Sequence, residues 1–361
     1  MRHYIGLDWL EFYCQEAKSQ SLHQSNLLAK GVKVKVRSYG TPQYRTMYSI
    51  LDEKGFPVIE VRRDPYCADS GARIMADRAC HLRVTNRYLY TDDWPKWFEW
   101  LISSFHVTIC GLSRFDVCCD FNKFRYGYNP YKFTANYMAG RVAKMHQSNL
   151  AAYGRAGWGS HTFNSLKWGS PASMVTTKLY DKSLELAQGG NKKNYIQQQW
   201  AANNLDLSLP IWRVEYSIRP SRAEFISCER GTMAHVDLEY ISVRENVIKL
   251  FQSLTEHYFD FRLIVATKWG EQQRKDRCPR IPLLDVPEGD IIKLVRPDNR
   301  AGCDRTDILV INRLNAIAND EAAEPNVRSA AVNMLRYYPI LRDMPAVEGF
   351  IPYWVEDTTA Q

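Results

Sequence analysis

The chain has 361 residues, 45% of them hydrophobic and 24% charged, with a formal net charge of +7. That length accommodates two domains and burial of roughly three quarters of the unfolded surface, so no disulfide or metal staple is needed, and the composition excludes a disordered or collagen-like chain. No stretch nears the roughly 18 apolar residues of a membrane span, and the mild positive excess suits a polyanion partner. The opening MRHYIGLDWLEFYC lacks the apolar run of a secretory leader. The nine cysteines are scattered with no Cys-x-x-Cys pair, which reads as reduced thiols in the cytoplasm. Aromatics are abundant, with 21 Tyr, 14 Phe and 10 Trp. They fit either a Tyr- and Trp-rich core or base stacking beside phosphate contacts.

In chain order, the first third reads as strands. YIGLDWLEF is strand-like. GVKVKVRSYG alternates, with Val32, Val34 and Val36 on one face and Lys33, Lys35 and Arg37 on the other. FPVIEVRRD and HLRVTNRYLY continue the pattern, adding Arg62, Arg63, Arg83 and Arg87. These cations suit either a solvated sheet face or a DNA-contacting one. DDWPKWFEWLISSF is predicted helical, with Asp92 or Asp93 as N-cap and Pro95 in the first turn. SRFDVCCDFN is a strand, and NPYKFTANYMAGRVAKM a helix capped by Asn129 and opened by Pro130. SHTFNSLKWGSPASMVTTKLYDK is a hairpin turning at Gly169, Ser170 and Pro171. A helix follows the polar stretch AQGGNKKNYIQQQW, PIWRVEYSIRP is a further strand, and 221–261 patterns as helical. Residues 271–305 read as a long loop, and the tail as two helices split at Pro325, the first with Ile308, Val310, Ile311, Leu314 and Ile317 along one stripe.

Strand alternation sorts the central segments into faces. Asp116 and Asp120 share the polar face of RFDVCCDF with Arg114. Arg213, Glu215 and Arg219 share that of WRVEYSIR. Lys178 and Tyr180 share the outward face of MVTTKLY. If the strands lie in one sheet, these residues occupy one surface. Carboxylates without histidine or cysteine suit Mg²⁺ or Mn²⁺. Such an ion can stabilise in-line displacement at a phosphodiester. A phenol is a workable nucleophile for phosphorus when a base or metal helps remove its proton, and Lys178 or Lys182 could hold the phosphate or lower the phenol pKa. Each feature also has a structural reading. A tyrosine at a strand end commonly caps a core, Asp116 and Asp120 could be solvated strand polars, and Glu215 could pair with its neighbouring arginines.

The order RFDVCCDF, KWGSPASMVTTKLYDKSLE, WRVEYSIR, after an opening GLDWLEF, resembles the rolling-circle replication initiator family of the Rep_trans type. That family includes plasmid initiators, integrative-element relaxases and RstA-like replication proteins of filamentous phages. The resemblance spans residues 4–262. It implies an α+β fold, a central mostly antiparallel sheet flanked by helices, divided here into a DNA-binding and nicking domain, 1–262, and a loop with a helical C-terminal extension, 263–361. It also implies metal-dependent origin nicking and strand transfer through a covalent 5′-phosphotyrosyl intermediate. Tyr180 would be the nucleophile, with Lys178 and Lys182 beside it, and Asp116, Asp120 and Glu215 the Mg²⁺ or Mn²⁺ ligands. Lys33, Lys35, Arg37, Arg83, Arg87, Arg114, Arg213 and Arg219 would contact DNA. The implied partners are origin DNA, duplex and single-stranded, a host helicase and polymerase, and room for a homodimer, with no membrane, in the cytoplasm of a bacterial host. The His-hydrophobic-His motif of most rolling-circle nucleases is absent, so carboxylates would have to replace it. Two other readings use the same residues: a metal-dependent nuclease or DDE-type transferase without a covalent tyrosine, and a non-catalytic origin- or operator-binding protein.

Overall fold

The computed structural model describes residues 2–17, 21–66, 78–91, 93–146, 148–157, 160–170, 173–189, 193–219, 225–227, 233–265, 274–284, 293–295, 313–320 and 322–343. The fold is α+β. Ten strands form one sheet in which every named pairing is antiparallel. In chain order they are β1 (His3–Glu16), β2 (Lys33–Val36), β3 (Tyr44–Leu51), β4 (Pro57–Pro65), β5 (Ala79–Val84), β6 (Val107–Phe121), β8 (Leu150–Gly157), β9 (Ser160–Trp168), β10 (Val175–Asp181) and β11 (Trp212–Ile218). In space the order is β2-β3-β4-β5-β1-β6-β11-β10-β9-β8. The two long strands β1 and β6 thus lie at the centre, between an N-terminal and a later set of strands.

One face of this sheet is apolar because alternate residues are apolar. Val175, Thr177 and Leu179 of β10 are buried, while Thr176, Lys178 and Tyr180 between them are half-buried. The same alternation buries Leu10 and Phe12 of β1, Phe115 and Val117 of β6, and Val214 and Tyr216 of β11 in the main core. Helix α3 (Trp94–Ser104) contributes Phe98 and Leu101, and α8 (Arg244–Tyr258) contributes Leu250, Phe251 and Leu254. Helix α4 (Pro130–Met138) adds Phe133 to an aromatic group with Trp168, Phe259 and Phe261. A second, smaller cluster of Tyr4, Tyr90, Leu186, Ile196, Trp200, Leu205 and Ile211 joins β1 to α5 (Lys182–Gln188) and α6 (Asn194–Ala202). That cluster explains why Asp120 and Arg213, polar residues of strands, are fully buried.

Several elements depart from the expectation. β3 lies in a segment given no element by the sequence reading, although Tyr48 and Ile50 carry its period. HLRVTNRYLY is a strand only to Val84, and Thr85 opens the short helix α2 (Asn86–Leu89). Asn129 caps α4 through its side chain as expected, but the helix ends at Met138, because Gly140 adopts φ +71°. Residues beyond it form β7 (Val142–Lys144), paired with β14 (Phe261–Leu263). The stretch read as helical, 221–261, holds β12 (Phe225–Ser227) and β13 (Met233–His235) before α7 (Leu238–Ser242) and α8. Within the segment read as loop, β15 (Lys293–Val295) pairs with β12. Short strands like these lack enough residues to show a period.

The chain divides into two compact units, Met1–Val295 and Arg296–Gln361. In the second, 313–318 is helical and a longer helix spans Pro325–Asp343, with proline at its first position. Of the expected apolar stripe, Leu314 and Ile317 are half-buried; Ile308, Val310 and Ile311, like Pro171 and Asp92, lie outside the described residues. No helix among the described residues is long and apolar enough to cross a membrane.

Candidate active site

Antiparallel register places the polar residues in rows across β10, β11, β6 and β1. One row is Tyr180, Arg213, Asp120, Tyr4. The next is Lys178, Glu215, Cys118, Gly6. The third is Thr176, Ser217, Asp116, Trp9. Between the last two the β1–β6 register shifts by one residue, and Asp8 is the extra residue of the resulting bulge.

Tyr180 is the last outward residue of β10. Asp181, the next, accepts the backbone N–H of Leu184 at 2.9 Å and caps α5, so Lys182 is that helix's first residue. The turn from strand to helix brings Lys182 back over its neighbour. Its ammonium lies 3.3 Å from the Tyr180 hydroxyl and 5.4 Å from the ring centre. On the other side the Tyr180 hydroxyl donates to Glu215 Oε2 at 2.8 Å, and Lys178 Nζ donates to Glu215 Oε1 at 2.7 Å. Lys182 also pairs with Glu185. Burial, then the adjacent Glu215 carboxylate, push the Tyr180 phenol well above its ordinary value, so the resting group is protonated. Burial disfavours the Lys178 ammonium, but Glu215 outweighs it and raises the pKa. The constellation is a phenol with a carboxylate acceptor and two ammonium groups within reach.

A second network lies one step across the sheet. Arg213 donates to Asp120 through Nε at 2.6 Å and through a terminal nitrogen at 2.7 Å, pairs with Asp8, and donates to the Tyr90 hydroxyl at 2.6 Å. Trp200 Nε1 donates to Asp120 at 2.6 Å, and Asn86 donates to Asp8 at 2.8 Å. Burial alone would raise the Asp8 pKa, but Arg213 and Lys182 hold it well below the usual carboxylate range. Arg213 thus ties Asp120, Asp8 and Tyr90 together inside the protein.

The expectation of one ion held by Asp116, Asp120 and Glu215 does not match this geometry. Asp116 and Asp120 are four residues apart on β6, which is about 13 Å of strand. Asp120 is taken up by Arg213 and Trp200. Among the described residues no group of three or more His, Cys, Asp and Glu side chains is placed to hold a metal ion. Asp116 and Glu215 are diagonal neighbours, one row apart on adjacent strands. Asp116 accepts from Arg114 Nε at 2.9 Å and from Ser217 Oγ at 2.5 Å. Burial, against the Arg114 hydrogen bond, raises its pKa, and Glu215 adds to the rise. Arg114 and Lys178, the cations on this pair, have side chains 31% and 32% exposed.

The expected DNA contacts are distributed unevenly. Arg213 is fully buried and cannot reach a strand directly. Arg37, Arg62 and Arg83 face Glu60 and Glu11, and Arg63 faces Glu16, all buried carboxylates. Arg83 and Arg114 lie over the Trp9 ring, at 3.8 and 4.4 Å from its centre. Arg87 covers the Phe56 ring at 3.5 Å. Lys33, Lys35 and Arg219 are exposed. The sequence reading missed Asp8, Asn86 and Tyr90. An aspartate inside GLDWLEF was the available signal, since aspartate is disfavoured in strands.

No family model matches the chain, and no curated protein matches it. A solved structure of a rolling circle replication initiator protein from Geobacillus stearothermophilus is similar in backbone, with a TM-score of 0.46 and 16% sequence identity over 77% of this chain and 92% of that one.

Proposed function

We propose that the protein is a DNA-nicking and strand-transferring initiator of rolling-circle replication, with Tyr180 as nucleophile. The observation that carries this reading is the position of the Tyr180 hydroxyl between the Glu215 carboxylate, 2.8 Å away, and the Lys182 ammonium, 3.3 Å away. A phenol that attacks phosphorus must lose its proton as the new bond forms, and it needs an acceptor within hydrogen-bond reach. Glu215 is that acceptor. Lys182 stabilises the phenolate charge, and Lys178 orients Glu215 and faces the phosphate. Tyr180 Oη bonds to phosphorus, the bond from phosphorus to the 3′ oxygen breaks, and the Tyr180 proton passes to Glu215. The strand is left with a 3′-hydroxyl, protonated from solvent, and a 5′ end on Tyr180. Arg213, Asp8 and Asp120 hold β1, β6 and β11 in register beside the site.

Asp116 and Glu215 Oε1 would be the hard oxygen donors that Mg²⁺ or Mn²⁺ prefers. With an ion there, Arg114 and Lys178 would turn away from these carboxylates, Lys178 toward the phosphate, and Glu215 Oε2 would remain the acceptor for Tyr180. Such an ion would neutralise phosphodiester oxygens. Lys33, Lys35, Arg219 and the Arg83–Trp9–Arg114 stack are the DNA contacts this reading uses, with affinity falling as salt rises.

The test is a labelled pool of single-stranded oligonucleotides, incubated with and without Mn²⁺ and run on a denaturing gel. The wild type is expected to form a covalent protein–DNA adduct and Tyr180→Phe none. Cleavage without any adduct would point to a water nucleophile and overturn the tyrosine assignment. Binding that survives EDTA without cleavage would mark a non-catalytic binding protein.

A further inference from the structure

β5 stops at Val84, opposite Leu10, so the first half of β1 has β6 on one side and, among the described residues, no strand on the other. The chain leaving β5 passes through this gap, and the start of α8 approaches it. A cavity of about 290 Å³ remains between them. Its walls are of two kinds. Tyr4 and Tyr90 stack with ring centres 5.4 Å apart and planes at 24°, and Trp94 adds a third ring. Gln199, Ser242 and the exposed Arg244 supply polar groups, with the guanidinium 5.9 Å from the Tyr4 ring centre. Gly6 lines the same space, and a Cβ there would stand 2.5 Å from the Tyr4 hydroxyl, so glycine keeps room for the ring.

Aromatic rings beside a guanidinium match a nucleotide, whose base packs against the rings while its phosphate takes the charge-assisted hydrogen bonds. The volume is at the small end of ligand pockets, enough for one nucleotide and too small for a base pair. The geometry points to a nucleotide-binding pocket that seats one unstacked base against Tyr4, Tyr90 and Trp94, with its phosphate on Arg244. Assigning that nucleotide to the strand being nicked rests on the function proposed above; the pocket chemistry itself would equally take a free mononucleotide. Two observations favour the strand. Tyr4 lies in the same cross-strand row as Tyr180, three strands away or about 14 Å. Tyr90, a wall of the pocket, also receives the Arg213 hydrogen bond at 2.6 Å. A base held there sets the register of the strand over Tyr180.

The experiment uses full-length protein and calorimetric titration with each of the four deoxynucleoside 5′-monophosphates and with short single-stranded oligonucleotides. Arg244→Gln, at an exposed position, and Ser242→Trp, which fills the cavity, are compared with wild type. Both variants are expected to bind the seated ligand about tenfold or more weakly. Loss for mononucleotides as well as oligonucleotides assigns the pocket to nucleotides in general; loss for oligonucleotides alone assigns it to the strand. Unchanged affinity for both ligands in both variants overturns the proposal. Because the readout is binding, a wild type that forms no adduct but loses affinity in these variants would sink the nicking reading and leave the pocket standing.

Discussion

The Tyr180 hydroxyl donates its proton to Glu215 Oε2 in a 2.8 Å hydrogen bond. Burial and the neighbouring carboxylate keep that proton on the phenol, so in the reaction proposed above the hydroxyl would need a phosphate and Lys182 to favour the phenolate. Glu215→Gln keeps a hydrogen-bonding partner but removes the acceptor, and adduct formation should fall by about 10²- to 10⁴-fold while single-strand affinity holds. Equal rates for wild type and variant in a quenched time course would refute the role given to Glu215. Tyr180→Phe deletes one hydroxyl and should shift stability by no more than about 1 kcal/mol. If it still forms an adduct, Tyr195 is next in line, with its hydroxyl on Asn86 at 2.7 Å and its pKa pushed up to about 12, chiefly by burial. Arg213 behaves differently. Arg213→Met leaves Asp8 and Asp120 without their cation and should cost about 3–5 kcal/mol in urea unfolding; a loss below 1 kcal/mol would mean the network is not a structural tie. Lys144 offers a pH test. Burial, only partly opposed by Asp260, lowers its pKa from 10.5 to about 8. Between those values the unfolded chain holds a proton that the folded chain has released, so stability rises with pH across that window, by roughly 2–3 kcal/mol. Lys144→Met should flatten that rise.

The β9–β10 hairpin delivers Tyr180, and its turn has a backbone requirement. Gly169 sits at φ +102°, and a Cβ there would meet the Val175 carbonyl oxygen and Thr176 at 3.2 Å. Its N–H donates to the Asn149 carbonyl at 2.9 Å, while Ser170 N–H donates to Ser173 Oγ at 3.0 Å. Gly169, Ser170 and Ser173 are therefore turn residues that set where β10 begins, and so which face Tyr180 takes. Gly169→Ala should destabilise by about 1–2 kcal/mol and reduce adduct formation although the residue touches no substrate. Amide exchange should quicken along the pairs from Thr177–Trp168 to Tyr180–Ser165. Unchanged exchange there would show that the turn does not govern the strand.

For the whole molecule, the unit Met1–Val295 contains every residue assigned to nicking, together with β15, which completes the three-stranded sheet with β12 and β13. A protein truncated after Val295 should therefore fold, melt cooperatively and still form the adduct with single-stranded DNA. Its deficit should appear in a later step such as assembly or helicase loading, because the 361-residue chain carries no P-loop of its own. An insoluble or inactive truncation would place the C-terminal helices inside the catalytic fold. The balance of charge also belongs to this scale. Buried Glu11, Glu16 and Glu60 neutralise much of the arginine-rich half of the sheet, which a count of cations along the strands does not reveal.

Alternation along MVTTKLY, WRVEYSIR and RFDVCCDF was enough to put Tyr180, Lys178, Glu215, Asp116 and Asp120 each on the polar face of its own strand, because side-chain direction in a strand has a period of two and needs no partner. Asn129 and Pro130 were likewise legible as a helix start, since a cap acts on its own first turn. What remained hidden depends on register between strands distant in sequence. Only the pairing of β6 with β11 and β1 shows that Asp120 faces Arg213, while Asp116 lies diagonal to Glu215. Only the bulge at Asp8 swings a second carboxylate, beside Asp120, toward Arg213. Only the packing of α5 and α6 turns an outward arginine into a buried one. Local periodicity decides which face a residue takes; distances across that face are decided by strands that meet after some two hundred residues of intervening chain, as Asp8 and Arg213 do.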